Sequence, residues 1–490
     1  MSPFDVHHSI QSRRQFLNQA GVGLGAAVMA GLSPRRAAAG PGGMPHFSPK
    51  VKQVIFLFMA GAPSQIDLYD YKPDLEDKFK QPLPGEVSGG QRVTAMTRGA
   101  TQLIQPSAFK FYRRGESGLW MSELLPHLST VVDDLCMIRS MQTDAINHDP
   151  GKTLISTGSE IPGKPSLGAW LSYGLGSLNR SLPDFIVLNS AFWSGDSANV
   201  QALYKRLWGN GFLPSRHQGV VFQAAGDPVL FLSNPGGVSR QSRRKMLKLV
   251  TELNEKHAAE IGDPEIHTTI AQQEMAFRMQ VSVPELTDIR SESHQTLQMY
   301  GPEVSKSGSF ARNCLLARRM VQRGVRFVQV YHRGWDHHTE LPGKLRGQCY
   351  DIDQPAAALI QDLKQRGLLR DTLVVCSGEF GRTVYCQGHL NKTQYGRDHH
   401  PRCFTAWMAG GGIRGGMVHG QTDPYSYNIV DKDGQTTTRF EDDAVHVRDL
   451  NATILHLLGV DHHRLTFPFQ GLDQKLTGVE EAHVVKKILS

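Results

Sequence analysis

The sequence predicts an α/β fold with a mainly parallel central sheet flanked by helices and carrying a helical insertion. Three observations predict it. Continuous apolar runs recur along the chain, amphipathic helical patterns separate them, and titratable residues gather directly after the runs.

The first run, "VKQVIFLFMAG" from Val51 to Gly61, has no alternation and ends in small residues, as a strand buried on both faces does. Similar runs follow at "VRFVQVYH", "DTLVVCSGEF" and "CFTAWMAGG". Between them, "SFARNCLLARRMVQRG" spaces its apolar residues by three and four and stops at a glycine. "IDQPAAALIQDLKQRGLL" and "RDLNATILHLLGV" repeat that form. From about Ser239 to Gly301 the pattern changes to charged amphipathic helices without strands between them, which predicts a helical insertion or cap.

The 490 residues are 40% hydrophobic and 20% charged, an ordinary globular composition, and the formal charge is +7. The basic residues are dispersed, with no stripe interleaved with aromatics, which argues against nucleic acid as partner. The first 39 residues read as a signal peptide: "SRRQFL", a short Ala/Gly-rich apolar stretch, then "PRR" and "AAAG". The paired arginines resemble the twin-arginine export signal, which implies the export machinery as a partner and a periplasmic or secreted location. A linker over 40–50, a main domain over 51–475 and a tail over 476–490 complete the expected organisation, with no membrane-spanning segment after cleavage. The six scattered cysteines allow disulfides without requiring them.

In parallel sheets, chemistry collects at the carboxyl ends of the strands. "AGAPSQIDLYD" supplies Ser64, Asp67 and Asp70; "RGWDHHTE" supplies Asp336, His337 and His338; "SGEFGR" supplies Glu379 and Arg382; "GRDHHP" supplies Asp398, His399 and His400. Asp, Glu and His from four places are the ligand set of a divalent ion such as Zn, Mn, Mg or Ca. Each place has a plainer explanation. Asp67 and Asp70 suit the first turn of a helix, and Glu379 suits a helix cap or a pair with Arg382. "AGGGIRGG" lacks the Gly-Lys-Ser/Thr ending of a phosphate loop.

"GAPSQIDLYDYKP", "NHDPGKTLISTG", "WDHH", "GEFGRT", "GRDHHP" and "MAGGGIRGGMVHGQTD" together resemble the exported family called domain of unknown function 1501, from about Val51 to Gly471. That resemblance implies the fold of alkaline phosphatases and sulfatases, with divalent ions over the end of the sheet. It further implies that His148 stands at the nucleophile's place and Lys152 where an arginine would be. Asp336 and His338 would serve one metal, Glu379 would be a further acidic ligand, and His399 the last histidine. Phe380 replaces a histidine usual beside Glu379. No acid stands at the end of the first strand, so Asp67 would have to reach back. His148 has three uses open to it: covalent attack, metal ligation or proton transfer. Alternatively it caps a helix while Lys152 faces solvent.

The expected function is therefore a metal-dependent hydrolase of phosphate or sulfate esters, acting on an anionic small molecule or glycan ester by metal-activated water. Its ligands would be Asp67, Asp336, His338, Glu379 and His399, with His148 and Lys152 catalytic. Ser64, His337, Arg382, Asp398 and His400 would support them. The competing expectation is a non-catalytic protein of the same fold that binds metal or anionic glycan.

Overall fold

Strand β1 (Gln53–Ala60) is buried along its whole length, which is why its sequence carries no polar alternation. In chain order the sheet continues with β2 (Leu135–Gln142), β3 (Phe185–Asn189), β4 (Val220–Phe222), β5 (Phe327–Arg333) and β6 (Thr372–Ser377). A separate antiparallel hairpin, β7 (Gly381–Gly388) and β8 (Tyr395–His400), precedes the remaining sheet strands β9 (Phe404–Gly410), β10 (Met417–His419) and β11 (Val445–His446). The nine-stranded sheet has the order β10-β2-β9-β6-β1-β5-β3-β4, with β11 also paired to β2. This computed structural model describes residues 43–191, 200–224, 227–229, 232–234 and 236–490. The expected signal segment and the start of the linker lie outside the described residues, which begin at Gly43.

All four apolar runs are strands of this sheet, and β1, β5 and β6 run parallel side by side. β9 is the exception, antiparallel to both β6 and β2. "GRDHHP" is not a loop between elements; it forms β8. No helix follows β6, so Glu379 has none to cap and sits instead in the tight link into the hairpin.

The main helices are α1 (His148–Thr157), α2 (Leu167–Leu175), α3 (Arg240–Ile261), α4 (Pro264–Thr287), α5 (Phe310–Gln322), α6 (Leu341–Gln365) and α7 (Val447–Leu457). α5 begins at Ser309, whose hydroxyl accepts from the Arg312 amide, and stops before Gly324. α6 starts eleven residues before the "IDQPAAAL" pattern and runs through Pro355. The missing hydrogen bond there is offset by core burial of Ile352, Ala356, Leu359 and Leu363. The stretch 239–301, expected to be an insertion, holds α3, α4 and a short helix at His294–Tyr300. Met279, Val283 and Leu286 of α4 join the core, whereas only Ala258 of α3 is buried.

All six cysteines are free thiols. Among the described residues no helix is long and apolar enough to cross a membrane. The last residues pack on the body, with Val485 and Ile488 buried and Leu489 bridged to Ile413.

Two glycines fix close approaches at one end of the sheet. Gly61, with φ of 115°, would place a Cβ 2.7 Å from the Asp336 amide nitrogen. A Cβ on Gly396 would lie 1.9 Å from the His338 carbonyl carbon and oxygen. Gly396→Ala should therefore destabilise the protein by about 1–3 kcal/mol or more through overpacking. Gly343→Ala on the open side of α6, where a Cβ meets nothing within 4 Å, should be neutral or stabilising. Urea denaturation of both variants checks the contrast.

Candidate metal centre

β6, β1 and β5 are neighbours, so the loops at their carboxyl ends meet. Asp336 lies three residues past β5, Glu379 two past β6, and Gly61 directly follows β1. The Gly61 amide donates to both Glu379 oxygens, at 3.0 and 3.2 Å. His148 enters as the first residue of α1, after the Asn147 N-cap, and β8 delivers His399 from the hairpin. The β7–β8 register shifts between Arg397 and His399, a bulge that re-aims the His399 ring.

His148, Asp336, His338 and His399 come together, with one ligand atom from each all within 4.8 Å of one another. The centre of the group is Asp336 Oδ1. It lies 3.1 Å from His148 Nε2, 2.8 Å from His338 Nε2 and 3.4 Å from His399 Nε2. The other nitrogen of every ring is engaged. His148 Nδ1 lies 2.6 Å from Glu379 Oε1, His338 Nδ1 2.6 Å from Gln387 Oε1, and His399 Nδ1 2.8 Å from the Ile146 carbonyl. These acceptors place the proton on Nδ1, so three Nε2 lone pairs face one anionic oxygen. Lone pairs gathered round a carboxylate repel it unless positive charge lies among them. Consistently, His148 Nε2 is buried and makes no hydrogen bond.

The spacing suits an ion. A cation about 2.0–2.2 Å from each of four tetrahedral donors sets those donors about 3.3–3.6 Å apart. To reach that range the His338 distance grows by about 0.5–0.8 Å and the His148 distance by about 0.2–0.5 Å, while the His399 distance already lies within it.

The surrounding charges hold the geometry. Arg382, fully buried, donates to Asp336 Oδ1 at 2.7 Å and to the carbonyls of Ala62 at 2.9 Å and Arg397 at 3.1 Å. Gln201 Nε2 holds the other Asp336 oxygen at 2.7 Å. Burial pushes the Asp336 carboxyl up, but Arg382 and the three imidazoles outweigh it and hold the group well below the usual carboxylate range. Burial pulls the His148 pKa down, yet the Asp336 and Glu379 carboxylates beside its two ring nitrogens raise it on balance. Without a cation, that ring is the place where positive charge collects. A bound metal would displace its proton.

Asp67 does not join the group. Its carboxylate, fully buried, pairs with Arg397 Nε at 2.7 Å and accepts from Tyr395 at 2.8 Å and Ser64 Oγ at 2.6 Å. The expectation that it reaches back to a metal is corrected: its oxygens neutralise a buried guanidinium, and Ser64 supports that pair. Glu379 is likewise not among the four clustered donors but anchors the His148 ring. Lys152 does not face solvent: it is buried, and its ammonium donates to the Ala202 carbonyl at 2.6 Å. Burial lowers its pKa, with Glu379 acting in the opposite sense.

Asp398 accepts from Thr94 and Thr97 hydroxyls, both at 2.5 Å, and from the His399 amide at 2.8 Å, which pins the bulge. Phe380 packs its ring 4.9 Å from His148 and 4.8 Å from His399, an apolar wall beside the cluster. The sequence offered no signal for Gln201 or Gln387. Arg397 lay inside "GRDHHP" between its more conspicuous neighbours.

A mainly parallel α/β sheet bearing three histidines and an aspartate at its carboxyl end defines a candidate metalloprotein of the α/β class. The chain belongs to the family described as protein of unknown function DUF1501, whose profile matches residues 51–489. No curated protein matches it. Solved structures with a similar trace include alkaline phosphatase from the Antarctic bacterium TAB5, 13% identical over 76% of this chain and 94% of that one, at a TM-score of 0.29. A protein in the alkaline phosphatase superfamily from Vibrio parahaemolyticus is 12% identical over 86% and 70%, at 0.34. A sulfatase from Pseudoalteromonas sp. is 13% identical over 84% and 68%, at 0.32. At these TM-scores the chemistry has to come from the side chains.

His337 and His400 flank the cluster and are held neutral by burial, with pKa values pulled down to about 3 and about 4. His400 donates Nε2–H to the Tyr427 carbonyl at 2.5 Å. Their folded pKa values lie below the unfolded value of about 6.5, so the unfolded chain binds more protons between that pH and about 4. Stability should fall as pH drops through this window. His400→Gln should lose some stability at pH 7 yet show a shallower decline, read from melting temperatures between pH 7 and 4.

Proposed function

We propose that the protein is a metal-dependent hydrolase of phosphate or sulfate esters, with one divalent transition ion held by His148, Asp336, His338 and His399. The observation that carries this is the convergence of three Nε2 lone pairs on Asp336 Oδ1, each ring locked by its own Nδ1 acceptor. Three imidazoles and one carboxylate suit zinc or manganese better than magnesium or calcium, which prefer oxygen donors.

Charge supports an anionic substrate. Asp336 and Glu379 cancel against Arg382 and Lys152, so a divalent cation leaves the centre net positive. When bound, such an ion would polarise an ester oxygen and lower the pKa of water. The chain's own residues set the stage for that. Glu379 fixes the His148 ring, Arg382 and Gln201 fix the Asp336 carboxylate, and Phe380 keeps water from one flank. His338 has the most exposed side chain of the four, at 20%, so substrate would approach from its side. His148 serves as ligand rather than nucleophile, because both of its nitrogens are engaged in the cluster.

Purified full-length protein should carry one transition ion per chain, and chelation should lower its melting temperature. Glu379→Gln should weaken ion affinity about 10–100-fold by loosening the His148 ring. The loaded protein should turn over aryl phosphate or aryl sulfate esters, and Asp336→Asn should abolish turnover. A stoichiometric ion with no turnover on either ester class would instead establish a binding protein of the same fold. No ion at all would end both.

A further inference from the structure

The helix α3 carries an apolar stripe that no part of the described chain covers. Met246, Leu249, Val250 and Leu253 are 51%, 61%, 37% and 66% exposed. The side of α3 that meets α4 is fixed independently, because Arg240 and Arg244 stand over the Phe277 ring at 5.2 and 6.0 Å. At 100° per residue, Met246 lies about 200° round the helix from Arg244, on the face turned away from α4. The spacing 246, 249, 253 is that of a coiled-coil seam, with Met246 and Leu253 at a and Leu249 at d.

Charge is segregated along the same helix. Arg240, Arg243, Arg244, Lys245 and Lys248 fill its first half, while the second carries Glu252, Glu255 and Glu260 against a single lysine, Lys256. Such a helix repels a parallel copy and complements an antiparallel one. The residues flanking the seam specify more. Lys245 and Glu252 both occupy g positions, and antiparallel pairing sets g against g. Placing Met246 opposite Leu249 of a second copy brings Lys245 against Glu252 of that copy, twice by symmetry. Sliding by one heptad would oppose Glu252 to Glu252.

We propose that α3 is a homodimerisation arm, pairing antiparallel with α3 of a second copy about a two-fold axis. The interface is isologous, its apolar centre supplied by Met246 and Leu249 from each chain, with Leu253 at either end opposite Ser242 of the other copy, and its register set by the Lys245–Glu252 pairs. Among the described residues the ion-pair partner of Glu252 is the exposed Lys248 at 3.9 Å, a contact loose enough for its carboxylate to engage across the axis. Because α3 contributes little to the core, the arm can be altered without unfolding the body.

Sedimentation equilibrium of the full chain at about 10–100 µM, a range suited to a small interface, tests this. The expected result is a monomer–dimer equilibrium. Lys245→Glu should weaken it at least tenfold, and adding Glu252→Lys should restore it. Leu249→Ser with Leu253→Ser should abolish it while leaving the melting temperature unchanged. A chain that stays monomeric throughout would overturn the proposal. So would a dimer indifferent to the charge reversal and its rescue. A monomer whose stripe instead carries it onto phosphatidylglycerol vesicles, with binding lost in the double serine variant, would overturn it in favour of a lipid surface.

Discussion

One carboxylate oxygen, Asp336 Oδ1, organises the functional end of this protein. It meets three imidazole nitrogens and the Arg382 guanidinium, all within 3.4 Å. An anion taken out of water in this way survives only when its surroundings supply compensating charge. Arg382 supplies one positive charge, and the rings supply lone pairs that ask for another. The close packing of Gly61 against Asp336 and of Gly396 against His338 follows from the same demand. Loops from β1 and β5 and the hairpin strand β8 must crowd together for these groups to meet.

Behind that oxygen lies a second ion pair. Arg397 and Asp67 are both fully buried and neutralise each other. The Arg397 carbonyl in turn accepts from Arg382, so the two guanidiniums are tied through the backbone. The Asp67 carboxylate is thereby occupied by Arg397, and Phe380 sets a ring that cannot ligate beside His148 and His399.

Much of the fold was legible in the chain. Unalternating apolar runs marked four buried strands, and the three- and four-residue spacing marked α5 and α7. What was less legible has physical reasons. β3 and β4 are short and sit toward one edge, giving little pattern to see. Pro355 argued against a continuous α6, yet burial of the residues around it outweighs one lost hydrogen bond. At the site, Asp336, His338 and His399 stand out because acids and imidazoles directly after apolar runs are unusual. Asp67 stands out equally, yet its carboxylate pairs with Arg397, which lies 330 residues away and leaves no local trace.

Residue type and local periodicity were enough to place strands, helices and a histidine-rich rim, since these depend on neighbours a few positions apart. Which of the candidate groups ligates, which braces a ligand and which neutralises a buried charge depends on distances between residues hundreds of positions apart. His148 shows the difference. Its sequence left ligand, base and nucleophile all open, and the fold narrowed the choice by placing Glu379 on one ring nitrogen and Asp336 beside the other.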